Sequence, residues 1–179
     1  MIRSVIFDCD GVLVDTEQIS NTVLAGLLTQ AGLATTFEDC MRDYRGRSMA
    51  SVLALATERH GAPLPGDLAE RYYAAVEAVF TRELEPVPGV VDALDRIALP
   101  SCVASSGPHH KMEVTLRRTG LWRRFEGRIF SASEVEHGKP APDLFLHAAR
   151  AMGFEPSSTA VVEDSVPGVA AARAAGMRA

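Results

Sequence analysis

The sequence predicts an α/β fold: a doubly wound, Rossmann-like parallel sheet core with an inserted small helical domain. Three observations point there. Four short stretches of strand character lie at residues 5–7, 102–104, 128–130 and 159–162. From Val90 onward these stretches alternate with helical periodicity, and such alternation gives parallel strands joined by crossover helices. Between the first stretch and Val90, residues 16–82 carry helical periodicity and no strand.

Val5-Ile6-Phe7 is a short apolar run flanked by charge, the mark of a buried strand. Asp15 can cap the helix that follows, with Gln18 in the capping-box position and Ile19, Val23, Leu24, Leu27 and Leu28 forming a stripe that stops at Gly32. A second helix runs from about Phe37 to Tyr44. Gly46-Arg47-Ser48 breaks the chain before Met49, Val52, Leu53 and Ala56 give a third stripe, which ends near His60 and Gly61. Asp67 and Glu70 make a capping box for a fourth helix carrying Leu68, Tyr72, Ala75, Val76 and Val79. Glu85-Pro86-Val87-Pro88-Gly89 is stiff and turn-forming, a linker back to the α/β pattern. The expected division is therefore residues 1–15 and 86–179 for the core and 16–85 for the helical insertion.

Past the linker, a helix over residues 90–98 leads to the strand Cys102-Val103-Ala104, and Pro108 opens a helix with Met112 and Leu116 that Gly120 closes. Trp122 and Phe125 are expected to pack beneath the next connection. Arg128-Ile129-Phe130 is a short strand. Pro142 and Asp143 start a helix with Phe145, Ala148, Ala149 and Met152 that ends at Gly153, and residues 159–162 form the fourth strand.

A chain of 179 residues that is 47% hydrophobic can bury a sizeable core. Cys9, Cys40 and Cys102 are an odd, scattered set with no C-x-x-C pair, which argues against a disulfide framework or structural zinc and for a reducing compartment. A cysteine nucleophile of the C-x5-R type is excluded, because the required arginine positions hold Asp15, Gly46 and Pro108. No apolar leader or membrane-length segment is visible, so a cytoplasmic location is expected, without a membrane partner. A net charge of −5 with no basic run disfavours nucleic acid.

Polar residues cluster where the strands end. The first strand delivers Asp8 and Asp10, spaced by one residue, to the carboxyl edge where open α/β sheets bind ligands. Two carboxylates this close repel unless a cation or a shared proton offsets them, and Mg²⁺ is the simplest remedy. Taken alone the pair also reads as a polar Asx turn. The second strand ends in Ser105, Ser106, Gly107 and Pro108, the fourth in Glu163, Asp164 and Ser165, and Lys139 sits between Gly138 and Pro140. Each has a plainer reading: a turn, a helix N-cap, a solvated lysine.

Together Asp8-x-Asp10-Gly11, Ser105, Lys139 and Glu163-Asp164, in that order, resemble the haloacid dehalogenase-like superfamily of aspartyl-phosphate phosphotransferases. The resemblance implies that Asp8 is the nucleophile and that Asp10 is general acid and then general base. It further implies a Mg²⁺ held by Asp8, the Asp10 backbone carbonyl and Asp164, with Glu163 as either a direct ligand or a neighbour that orients the others. Ser105 and the N–H of Ser106, at a helix N-terminus, would bind the phosphoryl oxygens, and Lys139 would neutralise phosphate and nucleophile. The helical insertion would be a lid that excludes water and selects the leaving group. On that lid Arg47 is either a contact to the substrate anion or a surface arginine. His109 is a further candidate substrate contact. Cys9 alternates with the two aspartates and should turn into packing.

Asp15-Thr16-Glu17 and the phrase Val162 to Gly168 resemble the β-phosphoglucomutase-like members, and residues 100–112 resemble sugar-phosphate phosphatases of the 6-phosphogluconate phosphatase type. The mutases carry a histidine where this chain has Ser20, which favours hydrolysis. The expectation is a Mg²⁺-dependent phosphatase for a small phosphorylated sugar or related metabolite. Its rivals are a phosphosugar mutase, a phospho-accepting binding protein and an inactive fragment. The family's usual strand and helix after Gly176-Met177-Arg178 have no counterpart before Ala179, which predicts an exposed edge beside the fourth strand and reduced stability or partner pairing.

Overall fold

The computed structural model describes residues 1–45, 47 and 49–179. Gly46 and Ser48, which flank Arg47 in the expected chain break, lie outside the described residues. Four parallel strands, β1 (Ser4–Phe7), β2 (Ser101–Ser105), β3 (Ile129–Ser131) and β4 (Thr159–Val162), form one sheet in the order β3-β2-β1-β4. The chain steps outward from β1 through β2 to β3 and then returns to the opposite side of β1. The order thus reverses between β1 and β4, the kind of switch point at which α/β sheets open a crevice.

The chain divides into two compact units, Met1–Asp15 with Leu84–Ala179, and Thr16–Glu83. The second begins with α1 (Thr16–Gln30), α2 (Phe37–Asp43), α3 (Met49–His60) and α4 (Leu68–Glu83). These bury Leu24, Leu28, Cys40, Tyr44, Ala56 and Leu68 among themselves. Thr36 caps α2 in a reciprocal box with Asp39, whose carboxyl is lowered to about 2, first by the Thr36 backbone N–H and then by the Thr36 hydroxyl and Arg42. The first unit resumes at Leu84, a little ahead of the proline linker. Leu84 is fully buried, Glu85 O accepts from Asp15 N–H at 3.1 Å, and Val14 bridges Pro86, so this stretch is tied to the loop after β1.

In the first unit α5 (Val90–Arg96), α6 (His109–Arg118), α7 (Trp122–Phe125), α8 (Asp143–Met152) and α9 (Val166–Ala174) accompany the strands. Strand alternation sorts the core. Ile6, Cys102, Ala104 and Val161 join Phe145 and Ala171 in one buried cluster, while Phe7 meets Phe125 edge-on at 6.0 Å. The single-turn α7 was not expected, being too short to show a period. The edge beside β4 is partly paired: Val161 N–H donates to Arg178 O at 2.7 Å and Arg178 N–H to Thr159 O at 3.0 Å. The expectation of a bare edge is corrected to that extent, because the backbone after Gly176 turns back along the strand. Among the described residues no helix is long and apolar enough to cross a membrane.

Candidate active site

β1 hands the chain to Asp8, whose N–H continues the ladder to Val162 O at 3.0 Å. Asp8 is thereby held at the sheet's carboxyl edge beside the end of β4. Gly11 then turns the chain back with φ +74°, its N–H on Val14 O at 2.9 Å. A Cβ on Gly11 would lie 2.3 Å from Asp164 Oδ2, so only glycine lets the opening loop close over that carboxylate. Glu163 is accommodated in the same manner: a Cβ on Gly168 of α9 would fall 2.0 Å from Glu163 Cδ. Ser165 caps α9 by accepting from Gly168 N–H, and its own N–H and hydroxyl donate to Glu163 Oε1 at 3.1 and 2.6 Å.

Lys139 reaches into this corner. Its Nζ lies 2.9 Å from Asp8 Oδ1 and 2.6 Å from Glu163 Oε2, with side-chain exposures of 5%, 10% and 0% for lysine, aspartate and glutamate. Phe145 of α8 presents its ring 5.0 Å from the same ammonium, a second favourable contact for a desolvated cation. Burial pushes the Asp8 carboxyl up to about 6, opposed by the Lys139 charge and reinforced by Glu163 and Asp10. Burial would lower the Lys139 ammonium, but the charges of Asp8 and Glu163 win and raise it.

Asp8, Glu163 and Asp164 bring one carboxylate oxygen each within 4.8 Å of one another. Asp8 Oδ1 is buried without a well-oriented hydrogen-bond donor, the Lys139 ammonium being its ionic partner. A hard, all-oxygen donor set with an under-satisfied buried oxygen fits a divalent cation such as Mg²⁺.

A sequence profile described as a haloacid dehalogenase-like hydrolase matches residues 2–176. The chain belongs to the haloacid dehalogenase-like hydrolases. It is similar to the 6-phosphogluconate phosphatase of Escherichia coli, 33% identical over 98% of this chain and 80% of the relative. It is also similar to the fructose-1-phosphate phosphatase of Escherichia coli, 33% identical over 97% of this chain and 93% of that one. A crystal structure of a conserved haloacid dehalogenase-like protein of unknown function from Agrobacterium tumefaciens superimposes with a TM-score of 0.92. That protein is 36% identical, with 99% of this chain and 81% of the other covered. Dependence on Mg²⁺ is general among haloacid dehalogenase-like hydrolases, and the acidic cluster fits it.

Within this member of the family, Asp10 lies outside the three-carboxylate cluster and its Oδ2 accepts from Lys111 Nζ at 2.7 Å. Ser105 is buried, and its Oγ accepts from Gly107 N–H at 3.3 Å. Ser106 is exposed and stands in the loop ahead of α6, whose cap is Pro108 in an extended conformation. Its N–H is therefore not part of a helix N-terminus, because the proline holds the chain extended for one more step. His109 Nε2 is 2.7 Å from Glu134 Oε1. Arg47 is exposed, and its Nε donates to Asp43 O at 2.8 Å within the helical unit. Cys9 is buried with its Sγ 4.0 Å from Thr115 Oγ1, and burial raises its thiol far above the usual range, first by desolvation and then by Asp10 and Asp8.

Two participants escaped the sequence reading. Lys111 occupies the first turn of α6, which contains no acidic residue, so a cation there opposes the helix dipole. That misplacement was the available signal that it serves something outside its helix. Glu134 accepts from Ser131 N–H at 2.6 Å and holds His109 at 2.7 Å and His147 at 2.9 Å, joining the end of β3, the first residue of α6 and the middle of α8. Its signal was the Ser131–Glu134 capping-box spacing.

Proposed function

We propose that the chain is a Mg²⁺-dependent phosphatase that hydrolyses a small phosphorylated sugar or related metabolite through an aspartyl-phosphate on Asp8. The observation that carries this is the meeting of Asp8, Lys139, Glu163 and Asp164, from three separated stretches of sequence, at the β1/β4 switch point. Two curated relatives named as phosphatases of 6-phosphogluconate and fructose 1-phosphate support a sugar or sugar-acid phosphate as substrate.

Phosphoryl transfer needs a placed nucleophile, positive charge around the equatorial oxygens and a proton donor for the leaving oxygen. Asp8 attacks phosphorus, and the departing alkoxide takes a proton from Asp10. Water then attacks the aspartyl-phosphate and Asp10 receives its proton, releasing inorganic phosphate and restoring Asp8. Lys139 offsets charge on Asp8 and on the phosphoryl oxygens, and Ser105 offers its hydroxyl to the same group. Asp8, Asp164 and the Asp10 carbonyl would hold Mg²⁺, with Glu163 as the orienting neighbour, since Lys139 and Ser165 engage both of its oxygens. When bound, the ion neutralises nucleophile and phosphate so that two anions can approach. The helical unit is assigned the role of lid, with Arg47 as its contact to the substrate and His109 as a contact from the core.

The test is phosphate release from a panel of sugar phosphates that includes 6-phosphogluconate and fructose 1-phosphate, with Mg²⁺ and with EDTA. Release with Mg²⁺, abolition by EDTA, and a loss of about 10⁴-fold or more in Asp8→Asn with an unchanged far-UV spectrum are expected. Activity retained in Asp8→Asn removes it as nucleophile. Conversion of glucose 1-phosphate to glucose 6-phosphate with a bisphosphate primer, without free phosphate, identifies a mutase instead.

A further inference from the structure

We propose that Lys111 is a positioning residue that holds the Asp10 carboxylate in the orientation from which it takes the proton of the attacking water. The inference rests on the phosphatase reading above and adds a residue to it.

Three independent features of the structure converge on Lys111. Its Nζ donates to Asp10 Oδ2 at 2.7 Å across 101 positions of sequence, with side-chain exposures of 34% and 30%. Its place in the first turn of α6 is unfavourable for a cation, and that turn supplies no acidic residue to offset it. Third, Gly107 lies among the groups involved. A Cβ there would be 3.5 Å from Lys111 Cδ, 3.8 Å from Asp10 Oδ2 and 3.8 Å from Ser105 Oγ. The lysine stem, the proton carrier and the proposed phosphate-side hydroxyl therefore surround one backbone point. That point is fixed by Ser131 Oγ, which donates to Gly107 O at 2.8 Å in a buried bond.

A half-exposed carboxylate on a loop samples several rotamers, and a base outside hydrogen-bond reach of its water is idle. The Lys111 ammonium selects one rotamer and pairs the anion that must be present when water attacks. In that step water adds to phosphorus, the bond from phosphorus to Asp8 breaks, one water proton passes to Asp10, and inorganic phosphate leaves. Lys111 keeps all its protons. Its influence falls on breakdown of the covalent intermediate, more than on its formation from a substrate whose leaving group needs no proton.

The experiment uses p-nitrophenyl phosphate, Mg²⁺ and the full chain as wild type, Lys111→Met, Lys111→Arg, Asp10→Asn and Asp8→Asn. In Lys111→Met, kcat is expected to fall about tenfold or more while kcat/KM changes less than about threefold. A burst of p-nitrophenol stoichiometric with enzyme should appear, and acid-quenched protein should carry covalent phosphate. Asp10→Asn should show the same signature more strongly, and Lys111→Arg should recover most of kcat. A fall in kcat/KM equal to that in kcat, or an absence of burst in Lys111→Met while Asp10→Asn accumulates phosphoenzyme, overturns the role of Lys111 and leaves the phosphatase reading standing. If Asp10→Asn gives no covalent phosphate and Asp8→Asn still turns over, the aspartyl-phosphate reading itself falls. Should Lys111→Met melt well below wild type, the arginine variant decides: recovery without a burst supports positioning, and a tenfold deficit with no covalent phosphate overturns it.

Discussion

Asp8 and Asp10 stand on either side of Cys9, and each is paired with a lysine, yet the two pairs live in different surroundings. Lys139 and Asp8 are 5% and 10% exposed, with Glu163 completing a buried triad, whereas Lys111 and Asp10 are 34% and 30% exposed. In the first pair, loss of one member strands an uncompensated charge away from water. In the second, solvent can replace either partner. Burial suits the nucleophilic role proposed for Asp8, and openness suits the proton exchange proposed for Asp10.

The comparison is broken or sharpened by substitution. Lys139→Met leaves Asp8 and Glu163 facing each other, and a loss of about 3–5 kcal/mol in stability is expected, measured by urea unfolding without divalent cation. Turnover with Mg²⁺ should fall about 10²–10³-fold. A variant of wild-type stability would show that the triad is not truly desolvated. Gly168→Ala comes next: its Cβ would meet Glu163 Cδ at 2.0 Å, so either α9 or the glutamate must move, at roughly 1–3 kcal/mol. Calorimetry and steady-state kinetics should register both a lower melting temperature and reduced turnover, since a displaced Glu163 releases Lys139. In the helical unit, Thr36→Ala removes the cap of α2 and should cost about 1 kcal/mol by thermal melting, with turnover untouched. The smallest stability effect belongs to Lys111→Met, under about 1 kcal/mol because its pair is open to solvent. A larger destabilisation would erase the contrast between the two pairs.

What the sequence disclosed follows the same division. Strands β1, β2 and β4 were readable because each is a short apolar run ending in groups that have no business in a core. Lys139 was readable because Gly138 and Pro140 frame it. The helical unit was readable by periodicity, yet the box between Thr36 and Asp39 passed unnoticed since Asp is a less usual partner than Glu at that spacing. Ser106 was placed at a helix N-terminus because Pro108 was read as the first helical residue, while the structure uses that proline as the cap. Lys111 and Glu134 were hidden for a different reason. Asp10, His109 and His147, their long-range partners, come from other elements of the core, and the local signals these two residues carry do not name those partners.

Glu134 gathers a strand end, the entry to α6 and a residue of α8 onto one carboxyl group. Such a clasp ties the entry to α6, which follows the end of β2, to the connection between β3 and α8 that carries both Glu134 and Lys139. Replacements at His147, on the far partner of that clasp, can therefore register as defects in turnover, and screens that map such defects onto the surface will outline a footprint wider than the chemistry itself requires.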